Sequence, residues 1–315
     1  MNPVNNDPLV SIVIATYNGE RFIEKQIDSI LQQTYSNINV VVVDDCSADN
    51  TVAILKGYEA RYPNVQLYVN EQNLGYVKNF EKGMILATGD YIAPSDQDDI
   101  WLPEKISILM KEIGDHAIVY CNSELIDDEG NKVGKKLSDV KKLISFDDCL
   151  NYAVGNSAPG HGMLFPRKLV QDCVPLPTMI PHDYWLGFVA TFYSRLKYID
   201  QPLVLYRQHD ANVFGAAKIK GADGTMPVRK RKTSAEETLL ARQRMRLMYE
   251  KCPADLVEQK EVYRLLDKSY RSFSLSNNFL RMAVFFKYNK RILAFKRRSL
   301  VRRWLFCLKM FVKIK

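Results

Sequence analysis

Four short apolar runs, at residues 10–16, 39–43, 65–69 and 91–93, alternate with three segments of helical spacing in the first hundred residues. The first run, Val10-Ser11-Ile12-Val13-Ile14-Ala15-Thr16, is rich in β-branched residues, the composition of a strand buried on both faces. Residues 20–33 place Phe22, Ile23, Ile27, Ile30 and Leu31 on one helical face. Residues 49–61 and 76–87 supply the other two helices, the former with Val52, Ile54 and Leu55 as its apolar positions. Strands alternating with helices require parallel pairing through right-handed crossovers. The expected fold class is therefore α/β, with a mostly parallel central sheet. Ligands of such sheets bind beyond the carboxyl ends of the strands. Three polar clusters fall at those ends: Thr16-Tyr17-Asn18, Asp44-Asp45-Cys46-Ser47 and Ser95-Asp96-Gln97-Asp98-Asp99.

The third cluster is the most demanding physically, because three carboxylates within four residues repel one another. On a loop near a core they need a cation or a polar ligand to offset that charge. Gly89 to Pro94 reads as a short strand with Pro94 as its breaker, and Leu102-Pro103-Glu104-Lys105 as the start of a helix. Two readings stay open for the loop between them: a solvated turn capping that helix, or a site for Mg²⁺ or Mn²⁺, which take hard oxygen ligands together with substrate phosphates.

After residue 115 the alternation weakens. Residues 117–120, 196–199 and 203–206 read as strands, 127–131 as a hairpin-like turn, and Gly155, Gly160 and Gly162 allow close backbone approach. Residues 216–233 are expected to form a mobile loop and residues 234–315 to be helical. Six cysteines show neither a paired motif nor zinc spacing, which suits reduced and mostly buried thiols in a cytosolic protein. The first eight residues lack the pattern of a signal peptide, and no apolar run approaches the ~18 residues of a membrane span.

Charge is unevenly spread. Beyond Asp267 there are fourteen Lys or Arg and no acid, so the other 30 of the 44 basic residues face 36 acidic ones. Read as one helix, residues 291–312 place Leu293, Leu300, Trp304, Leu308 and Phe311 opposite Arg291, Arg298, Arg302 and Lys309. That pattern suits an interfacial helix on an anionic membrane, the alternative being a helix packed on the preceding domain. No nucleic-acid module accompanies the charge, so nucleic acid is not an expected partner.

In order and spacing, residues 10–18, 42–51, Asn73-Leu74-Gly75, Ser95 to Trp101 and Tyr206-Arg207-Gln208-His209 resemble the inverting family 2 glycosyltransferases. The resemblance covers residues 10 to about 212. With His182-Asp183-Tyr184-Trp185 it comes nearest to the bacterial rhamnosyltransferase-like branch. It implies a GT-A nucleotide-sugar-binding fold over residues 1–215, followed by a helical and basic region. It also implies a donor linked to dTDP or UDP, and an acceptor that is a surface glycan or a lipid-linked oligosaccharide. The enzyme would be cytoplasmic and peripheral on the inner face of the membrane.

Carried over residue by residue, Thr16, Tyr17 and Asn18 flank the base and Asp45, beside Asp44, takes the pyrimidine N–H; a cap before the helix at 49–61 is the other reading of that pair. Asp96 faces the ribose or the water around the metal, and Asp98 binds the metal. Asp99 is left to orient a helix or touch the acceptor. Arg207 or His209 would meet phosphate oxygens or the metal, the alternative being a salt-bridged strand end. Asp183 aligns with the general base that an inverting displacement requires on the acceptor side; a helix cap is its other reading. His161, His182 and Trp185 are acceptor-side candidates, with a tight turn and a capping histidine as the plain readings of the first two. Two rival functions keep a place: a nucleotidyltransferase, although its Gly-rich phosphate loop is missing, and a non-catalytic glycan- or membrane-binding scaffold.

Overall fold

A computed structural model describes residues 7–209, 233–296 and 299–314. Strands β1 (Val10–Thr16), β2 (Ile38–Asp44), β3 (Val65–Val69) and β4 (Tyr91–Ser95) pair in parallel in the order 3-2-1-4. Helices α1 (Ile23–Leu31), α2 (Thr51–Arg61) and α3 (Tyr76–Leu86) connect them. Next come β5 (Ile100–Trp101), α4 (Lys105–Ile113), β6 (Ile118–Ile126), β7 (Lys132–Lys136), the single turn α5 (Leu137–Val140), β8 (Met163–Pro166), α6 (Lys168–Cys173), α7 (His182–Ala190) and β9 (Leu196–Arg207). Strand β8 runs antiparallel to both β4 and β6, extending the sheet, while β9 lies parallel to β6 and β5 closes antiparallel on β9. Among the described residues that follow are α8 (Ser234–Lys251), α9 (Val257–Tyr270), α10 (Leu275–Ile292) and α11 (Leu300–Lys309).

The apolar runs are continuous because both faces of the sheet are covered. Ile12, Ile14, Val40 and Val42 pack with Ile23, Ile27, Leu55 and Ile106 on one side. Val13, Val41 and Val43 alternate to the other side, against Phe80 and Met84 of α3. That second core continues into α7 and the C-terminal helices, through Phe188, Tyr263 and Phe285. The reversal of strand order between β1 and β4 opens the crevice where this architecture binds ligands.

Several expectations are corrected. Pro94 does not end β4; it pairs opposite Val13 and the strand runs on to Ser95. Beyond Ile92 the β8 flank of β4 is unpaired, so a residue without an N–H is tolerated there. The two strands read at 196–199 and 203–206 are one strand with register shifts opposite Cys121 to Ser123, a bulge at Pro202. Ile100 and Trp101, read as loop, form β5. The single helix at 291–312 is broken between α10 and α11, and Leu293 is buried. Of the expected loop at 216–233 only Thr233 is among the described residues; it caps α8 by accepting from the Glu236 N–H. No described helix is long and apolar enough to cross a membrane.

Two glycines test this packing. A Cβ on Gly83 of α3 would lie 2.4 Å from Val13 Cγ1, so the helix sits on β1 only because that position has no side chain. A Cβ on Gly57 of α2 would meet nothing within 4 Å. Gly83→Ala should therefore lower stability by about 1–3 kcal/mol through overpacking. Gly57→Ala should raise it by about 0.5–1 kcal/mol through reduced backbone entropy. Urea denaturation of the two variants checks both signs.

Candidate active site

The rim is built from the ends of β1, β2 and β4. Asp44 is fully buried: its carboxylate accepts from Thr16 Oγ1 (2.9 Å), Ser47 N (2.9 Å) and Ser47 Oγ (2.6 Å), and so turns the chain after β2. Asp45 faces the 70–75 loop and accepts from Asn70 Nδ2 (2.8 Å), Leu74 N (2.8 Å) and Gly75 N (2.9 Å). Asn18 and Cys46 both adopt positive φ, 48° and 65°, a conformation uncommon outside glycine and frequent at functional turns. Asn18 ties the two turns together, donating its N–H to Ser47 Oγ and accepting from Ala48 N. Tyr17 is half exposed.

Gln97 then fastens the acidic loop to β1. Its Oε1 accepts from Tyr17 N (2.8 Å) and its Nε2 donates to Tyr17 O (3.1 Å). A Cβ on Gly19 would lie 2.5 Å from Gln97 Oε1, so the turn after β1 has room for this amide only with glycine there. From below, Gln26 of α1 donates to Ser95 Oγ (2.7 Å).

The three acids of the loop have different surroundings. Asp98 Oδ2 lies 2.7 Å from His209 Nε2, and both side chains are 12% exposed. Asp99 is fully buried; Oδ1 accepts from Arg207 N (3.0 Å) and Oδ2 has no hydrogen-bond partner. Burial first, then the Asp98 and Asp96 carboxylates, push the Asp99 carboxyl well above the usual range. Asp96 is partly exposed. Desolvation raises its carboxyl, but the hydrogen bond and charge of His161, with His182 and Lys105 behind, hold it below the ordinary value.

His161 is buried beneath the loop. Its Nδ1 stands 3.5 Å from Asp96 Oδ2 and 3.6 Å from Asp99 Oδ2, while Nε2 meets Ser123 Oγ at 2.9 Å. Lys105 is fully buried and donates to the His161 carbonyl (2.7 Å). Burial lowers its ammonium to about 7, against the opposing pull of Cys121, Asp99 and Asp96.

Arg207 is buried too. Its Nε donates to the Asp98 carbonyl (2.8 Å), one terminal nitrogen to the carbonyls of Asp127 (3.2 Å) and Asp128 (2.9 Å), and the guanidinium lies over Phe22. These bonds hold the main chain of the acidic loop, a positioning arrangement not expected for a phosphate contact. Asp98 and His209 offer an oxygen and a nitrogen on the solvent side. Asp96, Asp99 and His161 bring ligand atoms within 4.8 Å of one another. The Asp96, Asp99 and His161 donors suit a hard divalent cation. Asp99 has one oxygen committed to the Arg207 N–H, which leaves Oδ2 for such an ion.

Opposite the loop stands the N-terminus of α7. Asp183, in its first turn, accepts from Tyr184 N (2.7 Å) at the positive end of the helix. Burial raises its carboxyl above the ordinary value, opposed by His182, Lys141 and the Tyr184 N–H, and Asp96 adds to the rise. The Tyr76 phenol is pushed up to about 12 by burial and by the charges of Asp183 and Asp96, which places it under the influence of both sides of the crevice. His182 is buried and stacks on Phe80 with centroids 3.9 Å apart. Among the described residues neither of its ring nitrogens has a hydrogen-bond partner, and burial lowers its pKa. It is therefore neither a surface nor a capping histidine. Gly160 lies against it: a Cβ there would fall 2.7 Å from His182 Nε2 and 3.3 Å from Asp183 Cβ.

Trp185 corrects its acceptor-side assignment. It is buried, donates Nε1 to the Cys173 carbonyl (2.9 Å) and packs on Phe188, so it belongs to the core. Gln97, Lys105, Tyr76 and Lys141 were missed in the sequence. Only Gln97 carried a signal, its place inside the acidic run.

The family model "Glycosyl transferase family 2" matches residues 11–173. The chain is 30% identical over 220 residues to "dTDP-rhamnosyl transferase RfbG" of Shigella flexneri, covering 64% of this chain and 74% of that one. It spans about two thirds of the length of two uncharacterized glycosyltransferases, of Nostoc and of Rickettsia typhi, and about a third to a half of several others. Among solved structures, S. aureus TarS 1-349 in complex with UDP-GlcNAc superposes with a TM-score of 0.57 at 16% identity, over 96% of this chain and 80% of that one. The mannosyltransferase PcManGT of Pyrobaculum calidifontis, in complex with GDP-Man and Mn²⁺, gives 0.52 at 16% identity over 98% and 86%. These two likenesses establish the fold.

The geometry makes a metal-binding prediction. Asp98→Asn and His209→Ala should each weaken Mn²⁺ binding by about tenfold or more, since even groups that only orient metal ligands carry effects of that size. Asp44→Asn should leave Mn²⁺ affinity within about twofold of wild type, because its carboxylate is committed to Thr16 and Ser47. Titration followed by the loss of the free Mn²⁺ electron-paramagnetic-resonance signal reads all three.

Proposed function

The chain belongs to glycosyl transferase family 2, and from that premise we propose that it moves a sugar, rhamnose first among the candidates, from a dTDP- or UDP-linked donor to a hydroxyl of a bacterial surface glycan. O-antigen or capsule, or a lipid-linked oligosaccharide, is the acceptor class, and the anomeric centre is inverted. The observation that carries this reading is the crevice itself: a carboxylate with raised pKa at the start of α7 faces an acid-rich rim at the ends of β1, β2 and β4. The Shigella relative described as a dTDP-rhamnosyl transferase supports the choice of sugar. The neighbour bound to UDP-GlcNAc supports a nucleotide-sugar donor.

Each residue then has a task. Asp45 accepts the imide N–H of uracil or thymine while it keeps the 70–75 loop in place. Tyr17, half exposed beside it, lies against the base, with Thr16 and Asn18 shaping the turn. Asp98 and His209, with Asp96 of the same loop, hold Mg²⁺ or Mn²⁺; PcManGT, with Mn²⁺ in its complex, supports the ion. When bound, the cation supplies positive charge that offsets the charge gained by the departing nucleoside diphosphate. Arg207 keeps the acidic loop in register rather than touching phosphate.

Asp183 takes the proton of the acceptor hydroxyl as that oxygen attacks the sugar, a role that needs one carboxylate on the acceptor side. Its raised pKa makes it a stronger base than an exposed aspartate. His182, buried between Phe80 and Gly160, supports the wall that carries that base. The enzyme works in the cytoplasm at the inner face of the membrane, where lipid-linked acceptors are assembled.

Asp183→Asn should lower transfer by about 10²–10⁴-fold, the usual contribution of a general base. Donor binding measured by calorimetry should stay near wild type. The carboxylate form is the active one, so the rate should rise with pH as Asp183 loses its proton. The acid limb should lie above the ordinary carboxylate range, as its raised pKa requires. A second outcome separates the rivals. Release of nucleoside diphosphate supports glycosyl transfer. Release of inorganic diphosphate would favour a nucleotidyltransferase, and no turnover with any of a panel of nucleotide sugars would favour a scaffold.

A further inference from the structure

Helix α11 presents two apolar faces, and among the described residues only one is covered. Phe306, Cys307 and Met310 pack inward: Phe306 lies against Phe285 and the Cys307 thiol donates to the Phe285 carbonyl. Arg281, itself buried in α10, fixes the end of the helix by donating to the carbonyls of Met310 (2.6 Å) and Phe311 (3.3 Å). With that face anchored, Leu300, Val301, Trp304, Leu305, Leu308 and Val312 point outward, between 50% and 67% exposed. The spacing of the first five puts them on one stripe of the helix, and Val312 follows in the turn after it. Phe279 of α10, 53% exposed and in edge contact with Phe311, extends the patch. Singly exposed apolar residues are normal; a contiguous stripe of them marks an interaction surface.

The charges around the stripe decide what covers it. Exposed Arg302 and Lys309, two helical turns apart, run along its border, and exposed Lys313 continues the row. No acid occurs after Asp267. A second copy meeting this face about a two-fold axis would bring the same cations together. An anionic bilayer instead receives the apolar stripe and attracts the cations, and Trp304 suits the boundary between lipid and water. We propose that the outward stripe of α11 is a preformed docking surface for an anionic lipid bilayer, with Arg302, Lys309 and Lys313 at the headgroups. This deepens, and rests on, the membrane-surface part of the function proposed above. It also replaces the surface expected from the sequence: Leu293 is withdrawn into the core, and Val301, Leu305 and Val312 join the stripe.

The test uses the full chain and vesicles of phosphatidylcholine with phosphatidylglycerol, compared with phosphatidylcholine alone. Trp101 and Trp185 are buried, so a change in emission on binding reports Trp304. The expected results are a blue shift and co-flotation with the anionic vesicles. Partition should fall by about tenfold or more in the double variant Leu305→Ser/Leu308→Ser, since each leucine contributes its buried apolar area. Arg302→Gln/Lys309→Gln should weaken binding chiefly at low salt. Circular dichroism, and donor hydrolysis in solution, should match wild type in both, which separates a failure of docking from a failure of the catalytic reading. Absence of flotation with anionic vesicles, or wild-type flotation of the leucine variant, overturns the proposal. So does a wild-type dimer in solution that the leucine variant dissociates without any vesicle binding, because the occupant is then a second copy.

Discussion

Everything at the rim depends on keeping three carboxylates together on one loop without letting their repulsion open it. The protein does this with fixed donors, not with mobile surface charge. Arg207 reaches the loop from β9, donating its N–H to Asp99 and its guanidinium to the Asp98 carbonyl. Gln97 clamps the loop to the end of β1, and His161 sits between Asp96 and Asp99 with Lys105 bound to its carbonyl. One acid, Asp99, is so enclosed that burial and the two neighbouring carboxylates raise its pKa well above the usual range. A hard cation at Asp98 and His209 would complete the compensation on the solvent side.

The crevice separates two kinds of carboxylate by environment alone. Asp96, next to His161, is kept acidic; Asp183, enclosed at the start of α7, is kept basic. Carboxyl groups whose surroundings drive their pKa values in opposite directions are a recurring sign of divided chemical roles. The proximity of the two walls comes from glycine: Gly160 lets the segment bearing His161 lie directly against His182 and Asp183. His182 stacks on Phe80, so α3 supports the same wall from behind.

The basic C-terminal helices have an internal use that their charge does not advertise. Arg291 pairs with Asp148 and Glu258, Asn151 donates to the Arg291 carbonyl, and Tyr263 donates to the Cys149 carbonyl. These contacts join α9 and α10 to the segment after α5, and their apolar residues enter the same core as α7. The choice between packing inward and facing outward is therefore made face by face: α9 and α10 reach the catalytic domain, while α11 turns one face to α10 and the other outward.

The sequence by itself determined the alternation of β1 to β4 with α1 to α3, because strand and helix periodicity is a local property of consecutive residues. It also located the rim, since parallel topology sends every strand's carboxyl end to one edge, and the acids of the motif fell there. The tertiary structure decided what each polar or aromatic residue does. Trp185 reads equally well as a sugar-stacking ring and as core, and only its contacts with Cys173 and Phe188 make it core. Arg207 reads as a phosphate ligand until its donors are found on carbonyls some eighty to a hundred and nine residues earlier in the chain. Lys105 looked like the first turn of an ordinary helix and proved to be fully buried under the site. Burial and hydrogen-bond partnership depend on segments far apart in sequence, so no local pattern encodes them, and the folded chain alone sets which charges are spent on structure and which are left for chemistry.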